Sequence, residues 1–310
     1  MGIIVGCDIS KDWIDVERVG AVQQPALRLD NNARAVDRFA RELPAGSLVG
    51  MEATGEMHEL LAGKLVKYGH TVFVVNPRWI HQYAKAIGLR GKTDRSDAAL
   101  IARFIAAEAA NLHPYQPPSR EQQELRKLLL RRRTVVKLKT ATRASLGAQG
   151  RALVRQFDRV LERIDKRIAD IIKAVPDWQE LAQRLRTTPG IGPIVAAHLV
   201  QVLTRFPFQK ADSFVAHTGL DPRPNDSGQK HGKRWLTHHG DAALRTTLFL
   251  GAMAACKRVE WRAVYEANIQ KGLPSTAALV VVARKLARVA FCIFKSGETY
   301  DPGRFLPKSG

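Results

Sequence analysis

The chain has 310 residues, 45% of them hydrophobic and 25% charged, enough apolar material to fill about two globular domains. Its 49 Lys and Arg against 29 Asp and Glu leave a formal charge of +20, which calls for a polyanionic partner such as nucleic acid or, as the weaker option, an acidic membrane. No run of about 18 apolar residues is present, MGIIVGCD is too short an apolar opening for a signal peptide, and Cys7, Cys256 and Cys292 are too dispersed for a disulfide framework or a CxxC zinc knuckle; the expected compartment is the reducing cytosol.

Ile3 to Cys7 is a short apolar run, residues 13–18 alternate with a period near two, and Ala26 to Leu29 offers a third strand, so the chain begins as an antiparallel meander. After the capping pair Asn31-Asn32, residues 35–43 read as a helix. Residues 47–51 then read as a buried strand, 56–68 as a helix ended by Gly69, and 71–75 as a strand ended by Asn76-Pro77. A further helix beginning near Asp94 gives the order β-β-β-α-β-α-β-α. This predicts a mixed sheet covered by helices, the arrangement of RNase H-type nuclease domains, which order alone does not separate from other α/β folds.

Beyond Pro118 the texture changes to long helix. Residues 125–157 hold ten basic side chains and no acidic one, among them Arg131, Arg132, Arg133, Lys137, Lys139 and Arg143. Phe157, Leu161, Ile164, Ile168, Ile171 and Val175 then recur at steps of four and three, the pattern of a coiled-coil seam. Gly147 and Gly150 divide the stretch into two helices, and Pro176 ends it. From residue 177 the pattern is all helical. Thr188-Pro189-Gly190-Ile191-Gly192-Pro193 resembles the hairpin of helix-hairpin-helix modules, in which Gly190 and Gly192 would open backbone N–H groups to a phosphate; a plain turn between packed helices is the competing reading. Residues 219–240 form a long polar loop. The division expected is residues 1–115, a basic helical region over 116–176, and a helical domain over 177–310.

Charge follows that division. Residues 1–110 carry 14 basic and 13 acidic side chains, whereas 111–310 carry 35 and 16. The acids of the first part are therefore not needed to offset a basic surface, and four of them occupy suggestive places. Asp8 is at the end of the first strand, Glu52 at the end of the fourth, and Asp94 and Asp97 open a helix at a spacing that puts both carboxylates on one face, about 5–6 Å apart. Such a set would suit Mg²⁺, a hard cation that seeks oxygen ligands. Asp94 as a helix cap and Asp97 as a first-turn charge are the competing structural roles, and Asp12, Asp15, Glu56 and Glu59 are rival acids.

At these residues the chain resembles the DEDD insertion-sequence transposases, the bridge-RNA-guided recombinases. The resemblance is carried by GCDISK, MEATG, KTDRSDA, TPGIGP, HTGLDPR, DSG and HHGDAALR, in that order along the chain. It implies an RNase H-like domain holding Mg²⁺ on Asp8, Glu52, Asp94 and Asp97, a coiled coil, and a helical transposase domain whose nucleophile here is Ser227. It also implies donor and target DNA, a noncoding bridge RNA, and a homodimer that assembles to a tetramer in a bacterial-type cytoplasm. Lys230, Lys233 and Arg234 flank Ser227 and are expected to contact nucleic acid; His231, His238 and His239 are read as loop or phosphate contacts rather than zinc ligands. The alternatives are a Mg²⁺-dependent, structure-selective endonuclease that uses water, with Ser227 a loop residue, and a noncatalytic nucleic-acid-binding protein.

Overall fold

The structure, a computed structural model, describes residues 3–19, 26–53, 57–89, 94–223, 235–236 and 240–305, and the side chains of all of these except 94–96, 223, 235 and 305. The chain divides into two compact units, residues 1–117 and 118–310.

The first unit is built on a five-stranded sheet. Its strands are β1 (Ile4–Ile9), β2 (Trp13–Val19), β3 (Leu27–Asp30), β4 (Leu48–Glu52) and β5 (Thr71–Val75). They lie in the order β3-β2-β1-β4-β5, with β1–β2 and β2–β3 antiparallel and β1–β4 and β4–β5 parallel. This is the mixed sheet expected from the sequence, with β1 extended through Asp8 to Ile9. Because side chains alternate along a strand, Val5, Cys7 and Ile9 face one side with Val49 and Met51. There they form a core with α1 (Ala33–Glu42) and α2 (His58–Lys67) through Val36, Phe39, Leu61 and Leu65. Burial pushes the Cys7 thiol up to about 12, so it stays protonated and acts as a small apolar core residue.

The opposite face carries Ile4, Gly6, Leu48 and Gly50 and is covered by α3 (Pro77–Ala86) and α4 (Asp94–Glu108). Two glycines set how closely α4 approaches. A Cβ at Gly6 would stand 2.0 Å from the Ala98 carbonyl oxygen, and one at Gly50 would stand 2.3 Å from a side-chain carbon of Ile105. α3 was not anticipated from the sequence. The Asn76-Pro77 pair that ends β5 also begins this helix: Asn76 accepts a hydrogen bond from the Arg78 N–H at 3.0 Å, and Pro77 occupies the first helical position, where its missing donor costs nothing.

The second unit begins with α5 (Arg120–Leu146), started by a capping box between Ser119 and Gln122, and α6 (Arg151–Ala174). Ion pairs Glu124–Arg167, Arg132–Asp165 and Lys139–Asp158 run in opposite senses along the two helices, which are therefore antiparallel. Of the expected seam, Leu161, Ile168 and Ile171 are buried, and Ile164 and Val175 pack against the core that holds Ile168 and Ile171. The base of the pair shares one core with α7 (Pro176–Arg186), α8 (Pro193–Leu203), α9 (Ala211–Thr218), α10 (Ala242–Ala255), α11 (Val259–Gln270) and α12 (Ser275–Ser296), through residues such as Leu129, Leu185, Leu199, Leu248 and Leu286. A short helix, α13 (Pro302–Phe305), follows. The all-helical expectation needs one correction. Pro222–Arg223 and Trp235–Leu236 pair as an antiparallel ribbon, β6 and β7, whose two-residue strands are too short to leave a period in the sequence.

His198 on α8 is 6% exposed, and burial pushes its pKa down to about 4 against a partial pull upward from Asp241. A histidine depressed in the folded state binds its proton more readily when unfolded, so its contribution to stability is complete above about pH 6.5 and is lost as pH falls toward 4. Urea denaturation should show the midpoint falling between pH 7 and pH 4.5 and the fall becoming shallower in His198→Gln. Equal slopes in the two proteins would contradict this origin.

Candidate catalytic edge and nucleic-acid surface

Asp8 and Glu52 both belong to the α4 face of the sheet, two residues beyond Gly6 and Gly50 respectively, and both are partly buried at the carboxyl ends of parallel neighbours β1 and β4. Asp97 lies in the first turn of α4, next to Ala98. Ala98 sits against Gly6 and also lines a groove with Asp15, Glu17 and Arg28, and Asp15 is the direct cross-strand partner of Asp8. The first turn of α4 is thus laid beside Asp8 on the same face and edge of the sheet. Asp94 begins this helix, and its side chain lies outside the described residues. Among the described residues, no group of three or more His, Cys, Asp or Glu is placed to hold a metal ion. The fold therefore brings Asp8, Glu52 and the first turn of α4 to one edge without closing the described carboxylates into a ligand shell. Carboxylate oxygens as a class suit a hard divalent cation rather than a thiolate- or imidazole-seeking one.

Of the rival acids, Asp15 is resolved most sharply. It is 7% exposed and forms a two-pronged ion pair with Arg28, at 2.7 and 2.8 Å, across β2 and β3. Directly opposed like charges destabilise a sheet. Arg28 offsets the Asp15 charge facing Asp8, a structural role that the alternation of residues 13–18 could have revealed once Asp8 was placed on the same face. Glu59 lies in the first turn of α2, Asp12 is exposed in the turn between β1 and β2, and Glu56 lies outside the described residues.

In the second unit the expected nucleic-acid contacts separate by environment. Arg131, Lys137 and Arg143 are exposed on α5, and Arg133 is half-buried. Arg132 is held by Asp165 at 2.6 and 3.1 Å, and Lys139 by Asp158, so these two cations join helices and are less available to a phosphate. Gly190 has φ +85°, and a Cβ there would stand 2.2 Å from the Gly251 carbonyl oxygen, so its smallness serves the packing of the α7–α8 turn against α10. Gly192, by contrast, precedes α8 with nothing within 4 Å of its Cβ direction. Ser227, Lys230, Lys233, Arg234, His231, His238 and His239 lie outside the described residues.

The polar loop is anchored on its flanks. Gly240 packs against the His217 carbonyl oxygen, the Asp241 N–H donates to that oxygen at 3.0 Å, and the Asp241 carboxylate caps α10 through the N–H groups of Ala243 and Leu244. The His217 ring lies 4.8 and 5.2 Å from the rings of Phe206 and Phe208, and burial lowers its pKa against the opposing pull of Asp241. HTGLDPR and HHGDAALR are thus joined in space through His217 and Asp241.

Residues 5–156 match a family model described as a transposase, DEDD_Tnp_IS110, and residues 182–266 match the transposase IS116/IS110/IS902 family. The chain is 30% identical to the pilin gene-inverting protein of Moraxella lacunata, over 81% of each chain. It is 27% identical to a putative transposase, y4pF/y4sB, of Sinorhizobium fredii, covering 96% of this chain and 85% of the relative. It is also 27% identical to the transposase for insertion sequence element IS1111A of Coxiella burnetii, covering 97% and 92%. With both units matched, the chain belongs to the DEDD insertion-sequence transposases of the IS110 family and is a DNA-processing enzyme.

Proposed function

We propose that the chain is a site-specific recombinase that cuts and rejoins DNA through a phosphoserine intermediate on Ser227, with Asp8, Glu52, Asp94 and Asp97 holding Mg²⁺. The observation that carries this reading is the placement of Asp8, Glu52 and the first turn of α4 on one face and edge of the sheet. Bound there, the ion would neutralise charge on the scissile phosphate. The Ser227 Oγ attacks the phosphorus and loses its proton, the phosphorus–O3′ bond breaks, and the departing 3′-oxygen takes up a proton. The product is a serine ester of a 5′-phosphate and a free 3′-hydroxyl. Attack by the 3′-hydroxyl of another strand reverses these changes, releases Ser227 and joins the new pair, so no nucleotide hydrolysis is needed. The absence of a GxxxxGK[ST] motif from the sequence accords with this.

The relative named for pilin gene inversion and those named as transposases support rearrangement of DNA segments as the outcome. In this reading a noncoding bridge RNA selects donor and target by base pairing. The exposed Arg131, Lys137 and Arg143, the open turn at Gly192, and a second unit carrying 35 of the 49 basic residues provide the backbone-reading surface. The helical pair is read as a coiled coil that serves assembly of the oligomer.

The test is incubation of the protein with Mg²⁺, bridge RNA and cognate DNA, followed by denaturing electrophoresis. Wild type should yield DNA that migrates with protein, and Ser227→Ala should yield none. Cleavage that persists in Ser227→Ala would transfer the role of nucleophile to water, and binding without cleavage by wild type would leave only a nucleic-acid-binding function.

A further inference from the structure

α3 presents a surface that the four acids and Ser227 leave unused. Its inward face is Ile80, Tyr83 and Ala84, packed against Phe104 and its neighbours, with the Tyr83 and Phe104 rings edge to face at 5.4 Å. Its outward positions are Arg78, Trp79, His81, Gln82 and Lys85, all exposed, and the helix contains no acid. Trp79 is 52% exposed. Of the other tryptophans with described side chains, Trp178 and Trp261 are buried, and Trp13, exposed at 39%, already carries the Arg28 guanidinium over its ring at 5.1 Å.

The position is as informative as the exposure. β5 ends at Val75, the register partner of Glu52 on the adjacent strand, and α3 starts two residues later. Trp79 therefore stands just beyond the carboxyl edge to which Asp8, Glu52 and α4 contribute. Charge is segregated toward the same stretch. Residues 60–93 contain six Lys and Arg and no Asp or Glu, in a unit whose balance over residues 1–110 is 14 to 13. Lys64 is engaged by Asp37, whereas among the described residues no carboxylate pairs with Arg78 or Lys85. An exposed indole on a helix with Arg78 and Lys85, which no described carboxylate pairs, matches the chemistry of a nucleic-acid strand, with π-faces on its bases and anionic phosphates between them.

We infer that α3 is a stacking platform on which Trp79 receives an unpaired base of the DNA strand passing the carboxyl edge of the sheet, with Arg78 and Lys85 on its phosphates. This inference rests on the reading of that edge as the place where DNA is cut. Cleavage needs a strand held in register at a scissile phosphate. A stacked base supplies that hold without reading sequence, because every base has a π-face.

The experiment uses the full-length protein and a short oligothymidylate bearing a single 5-iodouracil, irradiated and then mapped by tryptic mass spectrometry. The label is expected on the peptide of residues 79–85, falling at least about five-fold in Trp79→Ala and staying near wild type in Trp79→Phe. No label on that peptide, equal label in Trp79→Ala, or label only with the matching oligouridylate would overturn the inference. So would label that excess unlabelled oligothymidylate does not reduce. Ser227→Ala should cross-link as wild type does. A missing Ser227 adduct with the cross-link intact counts against the phosphoserine reading alone, and an adduct without the cross-link counts against the platform alone.

Discussion

Asp97→Asn is expected to reduce formation of the protein–DNA adduct at least about 100-fold while leaving DNA binding and folding close to wild type. Replacing groups that merely orient a metal ligand costs about 10- to 100-fold in activity or metal affinity, and a direct ligand should cost no less. The structural contribution of Asp97 is smaller. As a partly buried acid in the first turn of α4 it interacts favourably with the helix dipole, an effect of about 0.3–1 kcal/mol. Neutralisation without loss of size therefore separates the two roles. Adduct yield gives the chemical effect and thermal denaturation the structural one. A variant that forms adduct at the wild-type rate would remove Asp97 from the catalytic set, and a variant that unfolds would make its role structural.

The second large effect is predicted at Gly6. A Cβ there meets backbone on α4, at 2.0 Å from the Ala98 oxygen and 2.5 Å from the Ala102 nitrogen, so relief requires the helix itself to move. Overpacking of a filled interior costs about 1–3 kcal/mol, and Gly6→Ala should fall at or above the upper end because no side chain can rotate away. Gly50→Ala provides the internal comparison. Its obstacle is the Ile105 side chain, which can change rotamer, and its cost should lie near the lower end. Because α4 carries Asp94 and Asp97, Gly6→Ala should also lose adduct formation under conditions in which it remains folded. Equal denaturation midpoints for the two variants would contradict a backbone-limited contact at Gly6.

These predictions indicate which parts of the molecule the sequence made legible. The strands of the first unit could be read because apolar runs and period-two alternation survive in four- to seven-residue segments, and from them followed the carboxyl edge bearing Asp8 and Glu52. The closeness of α4 could not be read. It depends on two glycines at matching register, Gly6 and Gly50, each an ordinary strand glycine until the helix above it is seen. α3 was missed because Asn76-Pro77 serves two purposes at once, stopping a strand and starting a helix, and the ten residues that follow include only a narrow apolar stripe. The basic run at 125–157 is free of acids along the chain. The partners of Arg132 and Lys139 come instead from the antiparallel return, at Asp165 and Asp158, a pairing that no local count contains. Gly190 shows the same limit. Its place in TPGIGP drew attention to phosphate binding, whereas its surroundings give it a packing role against Gly251 and Ala255 and leave Gly192 as the open position.

The opening imbalance of charge also acquires a structural location. The first unit is nearly neutral, with 14 basic and 13 acidic side chains over residues 1–110. The second unit carries the excess, part of it consumed within the helical pair and the rest exposed on surfaces such as α5.

The central claim, that DNA is held as an ester of Ser227 between cutting and joining, is tested most directly by isolating the covalent adduct, digesting the DNA with nuclease and the protein with trypsin, and sequencing the modified peptide by mass spectrometry. The account predicts a 5′-nucleotide mass attached to Ser227 within residues 211–230. A nucleotide on any other residue, or efficient cleavage of cognate DNA with no nucleotide on the protein, would contradict it.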